Sequence, residues 1–206
     1  MFSLIPFKRN RTSFKDISYG LYLYFLGLSF RNASKALTSR IIKRSSHVSI
    51  WKWVQKYKPQ KISQKRRKVS EFIIDETQIK VGNNYFWIWV AINESTKVIL
   101  DIRVSFERTI LIAEQFLKNL IKEYGKHPLS TDSGTWYPQA CKFLEIEHHL
   151  HSPYEKSIIE RTIQYLKDRT EIFDDYFPCC KMNCKLKHIM NWFNLFVDHH
   201  NKEVIS

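Results

Sequence analysis

Glycine and proline are scarce in this chain: 206 residues hold five of the first and six of the second. That composition excludes a collagen-like or linker-dominated polypeptide. Sulfur is sparse too. The four cysteines are Cys141, Cys179, Cys180 and Cys184, and the adjacent pair Cys179–Cys180 suits a disulfide framework poorly. A reducing compartment is expected.

Long apolar runs are missing. The best candidate, Ile17 to Phe30 ("ISYGLYLYFLGLSF"), is fourteen residues long, whereas a bilayer crossing needs about 20. Lys8, Arg9, Arg11 and Lys15 precede it in the order of a secretion signal, but no clear small-residue cleavage site follows. The expectation is a cytoplasmic, nucleoid-associated chain with no membrane partner. A phosphate-cradling glycine loop is also lacking, so no nucleotide cofactor is expected.

Acid is nearly absent from the first third. Between Met1 and Lys68 the only acid is Asp16, while beyond Val69 acids and bases mix. The whole chain carries 33 Lys+Arg against 20 Asp+Glu, a net charge of +13. A surplus of that size calls for a polyanionic partner. The charge pattern changes within "KYKPQKISQKRRKV" (Lys56 to Val69), which reads as a basic linker. Two regions follow: residues 1–67, helical and basic, and residues 68–206, a mixed α/β domain.

What is plentiful is core-forming material: 44% hydrophobic and 15% aromatic residues. In the first region "SFRNASKALT" follows Gly27, a plausible helix stop. "SHVSIWKWVQKY" places Val48, Trp51 and Val54 three apart, with Ile50 and Tyr57 near the same side. Short helices ending on polar and basic residues suggest a helix-turn-helix, with Lys52, Gln55 and Lys56 as DNA contacts; a plain basic bundle is the alternative. In the second region "EFIIDET", "YFWIWVAIN" and "KVILDIRVS" alternate as strands. The order reads β-β-β-α-β-α-β-α, its last helix over Tyr154 to Glu171, with another helix over Cys179 to His200. A hairpin meander followed by crossovers gives a mixed five-stranded sheet flanked by helices.

Three acids stand out by position. Asp75 is expected to end the first strand and Asp132 the fourth; Glu160 falls on a late helix. The two strands are expected to be neighbours, which sets their carboxylates side by side. Carboxylates held together repel, and a hard divalent cation relieves that cost. Solvated loop acids are the alternative reading. Glu155, Glu76 and Asp101 are rivals, and Glu76 is expected to face away from Asp75.

"IIDET", "STDSGTWYP" and "KSIIERTIQYLKDRTE", in this order on strand, strand and helix, resemble the small cointegrate-forming insertion-sequence transposases of the DDE class. The resemblance covers nearly the whole chain. It implies an RNase H-like catalytic domain with Asp75, Asp132 and Glu160 as catalytic acids holding two Mg²⁺ or Mn²⁺ ions. It further implies hydrolysis and strand transfer on double-stranded DNA at terminal inverted repeats, by a homodimer or larger assembly. Lys167, two helical turns after Glu160, matches the basic residue common in such enzymes. The 28-residue interval from Asp132 to Glu160 is shorter than usual for the family. An inert DNA-binding remnant and an RNase H-like nuclease remain as alternatives.

Other clusters read as structure. Cys179, Cys180, Cys184 and His188 are expected as buried thiols beside a histidine rather than a zinc site. "HHLH" and "DHH" are read as surface or nucleic-acid-facing histidines. Trp136 and Tyr137 are candidates to stack on a splayed base or to pack inside. Trp87, Trp89, Trp192, Phe193 and Phe196 are read as core.

Overall fold

The computed structural model describes residues 12–40, 45–58, 69–174 and 186–205. The expected cysteine cluster Cys179, Cys180 and Cys184 lies outside them. The described chain forms two compact units.

The first unit contains α1 (Phe14–Phe25), α2 (Phe30–Arg40), α3 (His47–Lys56) and α7 (Leu186–Ile205). Ser13 caps α1 by accepting from the Asp16 N–H. Gly27 ends it: its φ of 116° lets the chain reverse so that Leu28 N–H reaches the Leu23 carbonyl. On α3 the buried face is Ile50, Trp53 and Val54, with Tyr57 just beyond, while Val48 is exposed and Trp51 half-buried. This corrects the Val48–Trp51–Val54 stripe expected from spacing. Both sets have helical periodicity, and only the packing against α1 and α2 selects between them.

The last helix departs from the expected division at residue 67. Its stripe of Trp192, Phe193 and Phe196 is core, as expected, but α7 groups with α1–α3. Trp192 donates to the Tyr24 hydroxyl at 3.1 Å and packs against Phe25, ring centroids 5.3 Å apart. Asn191 Nδ2 donates to the carbonyls of Val54 (3.2 Å) and Tyr57 (3.1 Å), satisfying acceptors at the end of α3. In the "DHH" segment Asp198 and His199 are buried and His200 is half-buried, so it is not the surface segment expected. His199 is buried edge-on to Tyr22, and Asp198 pairs with Lys202 at 2.7 Å.

The second unit is built on β1 (Phe72–Val81), β2 (Asn84–Asn93), β3 (Ile99–Ser105), β4 (Leu129–Thr131) and β5 (His148–Leu150). They lie in the order β3-β2-β1-β4-β5. β1–β2 and β2–β3 pair antiparallel, and β1–β4 and β4–β5 pair parallel. This is the RNase H-like mixed sheet expected from the sequence. Gly82, with φ of 57°, makes the tight β1–β2 turn. Helices α4 (Ile110–Tyr124) and α5 (Trp136–Leu144) cover one face, where Phe72, Ile74 and Trp89 meet Phe116, Leu117, Leu120 and Tyr137. Helix α6 (Pro153–Thr170) packs on β1 and continues into a 3-10 turn, Glu171–Asp174. No helix among the described residues is long and apolar enough to cross a membrane.

Candidate active site

Asp75 does not end its strand. β1 runs on to Val81 because its antiparallel ladder with β2 continues from Asp75↔Val90 to Val81↔Asn84. What ends at Asp75 is the pairing on its other side. β4 is only three residues long, and its last rung sets Ile74 opposite Thr131. Asp75 and Asp132 are the next residue on each strand, so both stand at a step in the sheet edge. Asp132 leaves the strand and folds its Oδ1 back to accept from Gly134 N–H at 3.0 Å. Asp75 is half-buried and accepts from the Glu76 N–H at 2.8 Å. Burial pushes its carboxyl up to about 7. The bond from Glu76 N–H and the charge of Arg108 oppose this, and the negative charges of Glu76 and Asp132 add to it.

The third acid arrives on α6. Ser152 caps this helix with a full capping box: its side chain accepts from Glu155 N–H while Glu155 Oε2 accepts from Ser152 N–H at 2.5 Å. Ile158, Ile159, Ile163 and Leu166 are buried. Glu160 points away from that stripe, its side chain 60% exposed and 3.8 Å from Lys156. Asp75, Glu76, Thr77, Glu160, Arg161, Ile163, Gln164 and Lys167 line one cleft of about 500 Å³. Glu160, Gln164 and Lys167 share a side of α6 and line the cleft with Asp75. Among the described residues, the three catalytic candidates do not form a set with donor atoms all within 4.8 Å. Glu160 shares the cleft with Asp75, and Asp132 is the electrostatic neighbour of Asp75.

The rival acids have other employment. Glu155 is held by its capping box and by His149, 3.2 Å away. Burial alone pushes its carboxyl up, but the bonds from Ser152 and His149 outweigh this and bring it to about 2. Asp101 on β3 accepts from its own neighbour, Ile102 N–H. Glu76 faces away from Asp75 as alternation requires. It is buried on the α4–α5 side, accepts a short hydrogen bond from the Tyr137 hydroxyl, and pairs with Arg108 Nε at 2.7 Å.

Arg108 was not visible as a site residue in the sequence. Its guanidinium lies 3.9 Å from the Trp136 ring centroid and 4.7 Å from that of Trp87. Trp136 is thus half-buried with one face covered by Arg108, and Tyr137 is fully buried. Between the two aromatic residues, Tyr137 is the core member and the support of Glu76. No local signal marks Arg108; its three partners come from three other elements.

Of the proposed DNA contacts in the first unit, Lys52 and Lys56 are exposed one turn apart on α3. Gln55 between them is half-buried and donates to the Trp51 carbonyl at 3.3 Å. In "HHLH", His148 Nε2 lies 2.7 Å from the Thr131 hydroxyl and His151 Nδ1 2.5 Å from that of Ser130. Two of these histidines therefore bind β5 to β4.

The sheet order defines the class: an RNase H-like α/β fold, here with an acid-lined cleft between β1 and α6. A family model described as a DDE domain matches residues 69–177. An uncharacterized protein of Methanocaldococcus jannaschii is 32% identical over 196 residues, covering 95% of this chain and 89% of that one. The transposase for insertion sequence element IS257 in transposon Tn4003 of Staphylococcus aureus is 30% identical over 164 residues, covering 74% of this chain and 72% of the relative. Among solved structures, the catalytic core domain of BIV integrase aligns with a TM-score of 0.45 at 21% identity, over 64% of this chain and 81% of that one. The chain belongs to the DDE-class family of insertion-sequence transposases. It is accordingly a DNA transposase, an enzyme that cuts and rejoins phosphodiester backbones.

Proposed function

We propose that Asp75, Asp132 and Glu160 are the catalytic acids, that they hold two Mg²⁺ or Mn²⁺ ions, and that the chain acts on the terminal inverted repeats of its element. The observation that carries this reading is the placement of Asp75 and Asp132 one residue beyond Ile74↔Thr131, with Glu160 and Lys167 lining one cleft with Asp75. The donor chemistry fits hard divalent ions: all three groups are carboxylates, and Asp75 bears the repulsion of Glu76 and Asp132 that a cation would relieve. When bound, such ions supply charge neutralisation and activation of the attacking hydroxyl.

The chain's own residues do the rest. Asp75 and Asp132 fix two carboxylates on a rigid sheet edge. Glu160, exposed beside Lys156, closes on them from α6. Lys167 and Arg161 hold backbone phosphate along the cleft. Water attacks a phosphorus at the element end, the phosphorus–oxygen bond to the 3′ oxygen breaks, and a 3′-OH is freed. That hydroxyl attacks a target phosphodiester, whose own 3′ oxygen leaves as the new bond forms. No covalent bond to the protein is required.

The α1–α3 unit presents Lys52, Gln55 and Lys56 to duplex ends, in helix-turn-helix fashion. Trp136 contributes with Arg108 stacked upon it. Two ends are handled together, so a homodimer or larger assembly forms on DNA. The test is strand transfer on a duplex carrying the cognate ends with Mg²⁺. Asp75→Asn, Asp132→Asn and Glu160→Gln should each lose at least about a hundredfold in rate while still binding the ends. Full activity of Asp75→Asn would refute the assignment.

A further inference from the structure

Glu71, His149 and Glu155 come from three separate elements, just before β1, on β5 and in the first turn of α6. Their donor atoms all lie within 4.8 Å of one another, which no other set of three acid, histidine or cysteine side chains achieves among the described residues. His149 Nε2 is 3.1 Å from Glu71 Oε1 and 3.2 Å from Glu155 Oε1. Ligands about 2.1 Å from a metal are separated by about 3.0 Å at octahedral and about 3.4 Å at tetrahedral angles. A charge-assisted N–H···O bond would draw in to about 2.7–2.9 Å, and one Nε2–H serves one acceptor well.

Glu71 Oε1 is buried and meets His149 Nε2 at 3.1 Å, an ion-pair contact without hydrogen-bond geometry. A buried carboxylate oxygen without a well-aligned donor is costly. Glu155 is oriented from behind: Ser152 N–H holds its Oε2 at 2.5 Å, which turns Oε1 toward His149.

We propose that Glu71, His149 and Glu155 form a second divalent-cation site, apart from the catalytic acids, that clips the start of β1 and strand β5 to the N-terminus of α6. Two carboxylates and one imidazole suit a first-row transition ion such as Mn²⁺ or Zn²⁺ better than Mg²⁺, which prefers oxygen alone. Glu71 is four residues before Asp75, roughly 13 Å along an extended strand, so the two sites are separate. The clip fixes the first turn of the helix that carries Glu160. It uses none of the three catalytic candidates and stands whether or not they are assigned correctly.

The experiment uses the full chain carrying Asp75→Asn, so that the catalytic acids contribute little. Mn²⁺ is titrated while thermal unfolding and bound Mn²⁺ are followed. At roughly a hundred times the dissociation constant, Tm should rise by about 5–10 °C. Adding His149→Gln or Glu71→Gln should remove that rise and one bound ion, and Mg²⁺ should not replace Mn²⁺. An equal rise in all three chains, or no rise in any, overturns the proposal and leaves a histidine held between two carboxylates. Should the double variants fail to fold, Mn²⁺ added to the Asp75→Asn chain should selectively broaden the His149 ring resonances, and sharp His149 signals overturn it equally.

Discussion

Arg108 Nε stands 2.7 Å from Glu76 Oε1, on the face of β1 opposite Asp75. The pair is buried on the glutamate side and braced by the Tyr137 hydroxyl, Trp136 and Trp87. Two consecutive acids thus do opposite things. Asp75 faces the cleft beside Asp132, and Glu76 anchors the strand behind it. Breaking a buried pair by removing one partner costs about 3–5 kcal/mol. Arg108 retains 28% exposure, so Arg108→Ala should cost less, about 2 kcal/mol, measured by urea unfolding. Removing both charges, as in Glu76→Gln with Arg108→Met, should cost less than the single Arg108→Ala change.

Gly20 lets α1 approach α3. A Cβ at this position would sit 2.9 Å from Trp53 Cζ3 and 3.3 Å from Leu37 Cδ2. Alanine gains about 1 kcal/mol in helix propensity, but overpacking against a fixed indole costs about 1–3 kcal/mol. The clash should win. Gly20→Ala is expected to lower stability by about 1 kcal/mol in chemical denaturation, and Gly20→Leu by more.

Lys167 and Lys156 look alike in sequence and should behave differently. Lys167 lines the cleft with Asp75 and Glu160. Lys156 meets Glu160 at 3.8 Å with both side chains mostly exposed, a pair worth less than about 1 kcal/mol. Lys167→Ala should weaken DNA binding and reduce the salt slope of log K by about 0.9, the share of one phosphate contact. Lys156→Ala should leave stability within about 0.5 kcal/mol. Fluorescence anisotropy across a salt series measures the first, thermal unfolding the second.

Cys141 is buried between α4 and α5, and burial pushes its thiol up to about 11. The thiolate is the reactive form. At pH 8 the native chain should therefore leave Cys141 unmodified by iodoacetamide, with labelling growing as pH rises toward 11 or as the chain unfolds. Peptide mass mapping of the Cys141 segment reads this out.

The element order of the second unit was legible because each strand and helix carries its own period. "YFWIWVAIN" and "TILIAEQFLKNLIKEYG" declare themselves within a few residues as β2 and α4. The motif acids were legible through the resemblance, since "IIDET" and "STDSGTWYP" are contiguous strings. On α3 periodicity was insufficient, because Val48–Trp51–Val54 and Ile50–Trp53–Val54–Tyr57 are equally helical.

The sequence by itself determined the charge imbalance, the succession of strands and helices, and the acids available for chemistry, because these depend on residues close together in the chain. Tertiary structure alone decided which faces meet. It placed α7 with the N-terminal helices, set Tyr137 behind Glu76 across 61 residues, and brought Glu71, His149 and Glu155 together. Such partnerships arise from packing side chains on elements far apart in sequence, and no local pattern encodes the identity of the partner.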